Sequence, residues 1–224
     1  MRHAEDFLVD EHLRELESRL QGPARLKSDL LTEARHDLLD AVDAYRESGL
    51  PPAEAQRRAV AEFGSPAQVL PSWQAELAVA ALRGLSLRML AVAGVLVAAG
   101  DLTWRGSSWS VGPQPPAAYR LLSATVDWIW AGGLLLAVTG LLVIWAGARS
   151  SRPHLAVAQR AVGVGLTGTL ALGMAAGGAL FVWSVDLWDA ALTWPPMIVG
   201  MVVVGAAYFS LTRAARGWVR GTAR

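Results

Sequence analysis

Cysteine is absent from this chain of 224 residues. That excludes disulfides, Cys-ligated zinc or iron–sulfur centres and thiol nucleophiles, and leaves the redox compartment undetermined. Several short motifs that carry common chemistries are missing too. There is no GxSxG nucleophile elbow, no glycine-rich phosphate loop followed by Lys-Ser/Thr, and no HExxH metal pair. The expectation is therefore a non-enzymatic protein with no cofactor and no metal. A cleaved signal peptide is not expected, because Met1–Leu20 is charged along its length and lacks an apolar h-region, so the first hydrophobic span should itself direct insertion. Acidic residues are scarce late in the chain, with four Asp against eleven Arg after residue 80.

What is present changes character near residue 83. Residues 1–80 are polar and helix-patterned, with nine Lys/Arg against fifteen Asp/Glu, a balance of −6, whereas residues 81–224 stand at +7. Long apolar runs dominate that second part. An all-α protein is expected: a small water-soluble helical domain over 1–80 and a four-span membrane domain over 81–224. Direct nucleic-acid binding is not expected of an acidic head, since it needs a basic surface to replace counterions on the phosphate backbone. A basic protein surface is the better complement.

Within the head, leucines at three- and four-residue intervals over Glu11–Leu20 predict one amphipathic helix, stopped by Gln21-Gly22-Pro23. A second helix should run from Pro23 to Ser48, with Leu26, Leu30, Ala34, Leu38 and Val42 inward and Gly49 ending it in a left-handed conformation. Pro51-Pro52 open a third, facing Ala55, Ala59 and Phe63 inward and ending at Gly64. Ser65-Pro66 form an N-cap and first-turn pair for a fourth segment through Val69, Trp73 and Leu77 toward the membrane. Leu30, Leu38 and Phe63 are the first choices for the core. Glu33, His36, Asp37 and Asp40 share the outer face of the second helix. They read either as a solvated face with local ion pairing to Arg35 or as a patch for a basic or polar partner. Three carboxylates and a histidine do not make a metal site without convergent geometry.

Residues 10–78 resemble the helical module called the HAAS domain, also described as a permease prefix domain. The marks are Leu13 and Leu20, the run Glu33-Ala34-Arg35-His36-Asp37-Leu38-Leu39-Asp40-Ala41, Gly49, Glu54-Ala55, Ala59 and Phe63-Gly64-Ser65-Pro66. The resemblance implies a cytoplasmic module fused to membrane spans in bacteria and associated with PadR-like transcriptional regulators. In other proteins such a module precedes transporter permease domains.

Apolar runs predict spans at 85–103, 124–148, 161–183 and 192–211, each long enough to cross roughly 30 Å of hydrocarbon at about 1.5 Å per residue. Arg149, Arg152 and Arg160 between spans two and three, with Arg213, Arg216, Arg220 and Arg224 after span four, place both termini in the cytoplasm. Asp186 and Asp189 mark the opposite side. Trp104, Trp109, Trp128, Trp183, Trp188 and Trp194 fall near the outer boundaries, where an indole buries its ring and keeps its N–H wet. Asp127 reads as a boundary carboxylate beside them, and Asp101 likewise. The row Gly163, Thr167, Ala171, Ala175 and the pair Gly173/Gly177 serve close packing inside the bundle or, as the alternative, a homodimer. Together with the resemblance, these readings lead to the expectation of an inner-membrane interaction protein that tethers a PadR-like regulator. The alternative is an accessory subunit of an export or ABC-type transport system.

Overall fold

The computed structural model describes residues 7–104, 115–149, 153–187 and 195–222. Among them the protein is all-α. In chain order the helices are α1 (Phe7–Arg19), α2 (Ala24–Glu47), α3 (Pro52–Phe63), α4 (Pro66–Trp104), α5 (Ala117–Gly147), α6 (Pro153–Leu187) and α7 (Pro195–Thr222). They form two compact units, Met1–Ala81 with Gly217–Arg224, and Leu82–Arg216.

The helix ends of the head follow local backbone rules. Gly49 has φ +96°, and the Gly49 and Leu50 amides donate to the Arg46 and Tyr45 carbonyls, a Schellman stop that satisfies the orphan carbonyls of α2. Gly64 ends α3 at φ +100°. At the start of α4, the Gln68 side-chain oxygen accepts from the Ser65 amide at 2.9 Å, and Pro66 occupies the first turn, as Ser65-Pro66 predicts.

The core of the head consists of Val9, Leu13 and Leu16 from α1, Ala34, Leu38 and Val42 from α2, and Ala55 and Ala59 from α3. Three alanines at these crossings let the helix backbones approach closely around Leu16 and Leu38. The turn between α1 and α2 is tied to α4 by a pair of bonds. The Gln21 amide donates to Gln74 Oε1 at 3.0 Å, and Gln74 Nε2 donates to the Gln21 carbonyl at 2.7 Å. Gly22 is needed beside that clamp, because a β-carbon there would lie 2.8 Å from Cβ of the fully buried Leu77.

The fourth head segment and the first span are one helix of 39 residues. Gly84 is the one glycine between Trp73 and Arg88, and a single interior glycine costs about 1 kcal/mol, too little to end a run of otherwise good helix formers. The remaining helices likewise outrun their apolar cores. Among the described residues four helices carry stretches long and apolar enough to cross a membrane: α4, α5, α6 and α7.

In the membrane unit α5 and α6 pack antiparallel along most of their length. Glycines set the approach: Met89 packs on Gly133, Ser86 and Val162 on Gly140, and Leu136 on Gly165. Gly173 and Gly177 face the Tyr208 hydroxyl, which donates to the Gly173 carbonyl at 3.0 Å. That GxxxG pair thus serves packing within the chain. The row from Gly163 winds outward, Gly163 being buried and Ala171 and Ala175 exposed. Near the opposite end, Tyr119 and Ser184 share a hydrogen bond of 2.8 Å, and the Tyr119 ring meets Trp183 edge-on at 5.8 Å. Asp127 is exposed beside the equally exposed Trp128. Arg105, Trp109, Arg152, Trp188, Asp189, Trp194 and Arg224 lie outside the described residues, as do the side chains of Asp101, Trp104 and Arg220.

Candidate partner-binding groove

The left-handed turn at Gly64 sends the chain from α3 into α4 and leaves a groove of about 650 Å³ between these helices and α2. Leu30 and Ala34 of α2, Phe63 at the end of α3, and Val69 and Trp73 of α4 supply its apolar walls. Glu33 and Asp37, one turn apart on α2, supply carboxylates. Gln68 and Ser72 add polar groups from α4. An aromatic row backs the groove. The His12 and Phe63 rings meet edge-on at 5.8 Å, and Phe63 and Trp73 do so at 6.2 Å.

The four acidic-face residues therefore separate. Glu33, His36, Asp37 and Asp40 are all exposed, but only Glu33 and Asp37 line the groove, whereas His36 and Asp40 sit further round the solvent side of α2. Arg35 does not pair with these neighbours. It points to the other side of α2 and meets Asp10 of α1 at 3.1 Å. Successive residues on a helix are turned by about 100°, so Arg35 lies nearly opposite Glu33.

Two of the expected core residues line this site, and Phe63 packs against the core as well. Leu38 is 1% exposed, but Leu30 and Phe63 are half-buried. Ala55 and Ala59 already fill the core-facing row of α3, and Phe63 lies at its last position, where the chain turns away. Part of the ring consequently stays open. Trp73 packs against the core and lines the groove at once.

His12 was not distinguishable from its charged neighbours in sequence, yet it is 8% exposed, and its Nε2 finds no partner among the described residues. Burial pushes its pKa down from the ordinary 6.5, against a smaller opposing pull from Glu15. The native state thus holds His12 neutral, and the unfolded chain takes up a proton first as pH falls. The expected outcome is a head that loses stability as pH drops below about 6.5, the loss being complete only beneath the native pKa. Hydrogen exchange of α1–α3 in the full-length protein between pH 7.5 and 5, corrected for intrinsic rates, measures this. His12→Phe should flatten the dependence, and an unchanged slope in that variant would assign the effect to other groups.

Among the described residues no three His, Asp or Glu side chains converge as metal ligands. Comparison with protein-family models, curated proteins and solved structures finds no match for the chain.

Proposed function

We propose that this membrane-anchored protein is a regulatory interaction protein of the bacterial inner membrane whose head lies in the cytoplasm. In this reading the head binds a PadR-like transcriptional regulator and sequesters or modulates it. The observation that carries the proposal is the groove, where aromatic and aliphatic walls stand beside Glu33 and Asp37 on an acidic head. Such a surface suits a protein helix with apolar anchors and flanking Arg or Lys, a recurrent mode of helix recognition. The resemblance of residues 10–78 to the HAAS module supplies the class of partner.

Orientation draws support from charge and topology. Arg149 and Arg160 flank the connection between α5 and α6, and Arg213 and Arg216 lie near the end of α7, a distribution that favours the cytoplasm at this end. The grouping of Gly217–Arg224 with Met1–Ala81 in one compact unit favours both termini on a single side. Tethering acts on the regulator by covering its DNA-binding surface or by removing it from the nucleoid. A signal entering through the bundle must stabilise one conformation over another if it is to change the affinity of the head.

The test uses full-length protein in detergent with a PadR-like regulator encoded beside it. Binding is expected for the wild type, and Glu33→Lys with Asp37→Lys should weaken it at least tenfold. His36→Ala with Asp40→Ala, outside the groove, should leave it within about twofold, as surface contacts at a rim usually do. Absence of binding with both proteins folded would discard the regulator as partner.

A further inference from the structure

Most of the described arginines of the membrane unit gather toward one end of the bundle, although the sequence scatters them over four helices. Contacts between helices set their heights. Along α5, Gly133 meets Met89 of α4 and Thr169 of α6, while Gly140 meets Ser86 and Val162. Tyr208 of α7 reaches Gly173 of α6, and α7 begins at the end of the bundle where α6 finishes, so its later residues run back toward the level of Gly140. Counting about 1.5 Å per residue from these points places Arg83, Arg88, Arg160, Arg213 and Arg216 in one band roughly 10–15 Å deep. All five are exposed.

Arg149 lies beyond the band at the end of α5, but its side chain turns back. Its guanidinium stacks 3.7 Å from the centre of the Trp145 ring and donates to the Trp145 carbonyl at 3.4 Å. Arg213 sits similarly over Phe209, 5.7 Å from the ring centre. Both rings are outward-facing apolar surface, Trp145 being 58% and Phe209 64% exposed. These two charges are therefore held against outward-facing apolar surface of the bundle. Among the described residues no carboxylate of this unit pairs with them. Every ion pair among the described residues belongs to Met1–Ala81, and Asp127 and Asp186 lie toward the opposite ends of α5 and α6.

We infer that this arginine belt binds the phosphate groups of anionic phospholipids in the leaflet on that side. Guanidinium offers a planar pair of N–H donors matched to phosphate oxygens, and stacking on an aromatic ring fixes its plane. The rings that hold two of these guanidinium groups are themselves exposed apolar surface on helices long enough to cross a membrane, which selects a membrane headgroup over a soluble anion. This binding is independent of any regulator held by the head.

Native mass spectrometry of the full-length protein from mixed micelles of phosphatidylglycerol and phosphatidylcholine tests the inference. The wild type should retain phosphatidylglycerol at least twofold over phosphatidylcholine, with the preference shrinking as salt rises. Arg149→Gln, Arg160→Gln and Arg213→Gln combined should abolish the preference, and Arg120→Gln at the opposite end should leave it intact. If the triple variant fails to fold, the salt titration of the wild type decides. Equal retention of both lipids by the wild type, a preference indifferent to salt, or an undiminished preference in the folded triple variant would overturn the inference. So would loss of the preference on adding inorganic phosphate at millimolar concentration, because the belt would then be reading a free anion.

Discussion

Leu38→Ala should strip the head of most of its stability while the four apolar helices remain in the membrane. Leu38 is 1% exposed and belongs to the cluster formed with Val9, Leu13 and Leu16 of α1 and Ala55 and Ala59 of α3. The alanines bring the backbones close and leave few side chains able to move into a void, so the truncation should cost about 3 kcal/mol, within the 2–5 kcal/mol usual for buried leucines. A helical module of this size has a stability near the lower end of the roughly 5–15 kcal/mol range, and most of its margin would disappear. Hydrogen exchange in the full-length protein separates the two units. Amides of α1–α3 should lose on the order of a hundredfold in protection, while those in the middle of α5 and α6 stay protected. Leu30→Ala, at a half-buried groove position, should have less than half that effect. Protection of α1–α3 unchanged in Leu38→Ala would refute this picture of the core.

The second large effect is expected in the bundle. Gly140→Val should force apart the junction of α4, α5 and α6, because the first added carbon already lies 2.9 Å from Ser86 Oγ and 3.1 Å from Val162 Cγ1. Neither neighbour can swing away easily. Val162 is β-branched and confined to one favoured rotamer in a helix, and Ser86 is fully buried. The substitution should destabilise the bundle by about 1–3 kcal/mol, read as a lower thermal midpoint in detergent. Gly132→Val is the control, since a β-carbon there meets nothing within 4 Å. Ser86→Gly should recover part of the loss in the Gly140→Val background. Equal midpoints for the Gly132 and Gly140 variants would show that this glycine contact does not hold the helices together.

The elements were readable where a local rule governs them. Gly49 and Gly64 occupy positive φ, Ser65-Pro66 begin a helix, and apolar runs of spanning length become long helices. Each outcome depends on a few consecutive residues and the backbone they share. The continuity of α4 through Gly84 was harder to foresee. A hydropathy change looks like a boundary, but helical hydrogen bonds run between backbone groups and are indifferent to whether the side chains face water or lipid.

The site was half readable for a related reason. Periodicity puts Glu33, His36, Asp37 and Asp40 on one outer face, but cannot say which of them borders a neighbour. That depends on where α3 and α4 cross α2, which selects Glu33 and Asp37 and turns Arg35 toward Asp10. His12 became unusual only once Phe63 was packed against it.

From the order of residues alone came the helical class, four spans, an acidic head before a basic tail, and the positions of the helix stops, because propensity, hydropathy and charge are properties of short segments. Packing assigned Phe63 and Trp73 to a groove wall, Gly173 and Gly177 to Tyr208, and most of the scattered arginines to one belt. Those assignments depend on the register between helices, which is set by contacts among residues far apart in the chain and is invisible to any periodicity within one helix.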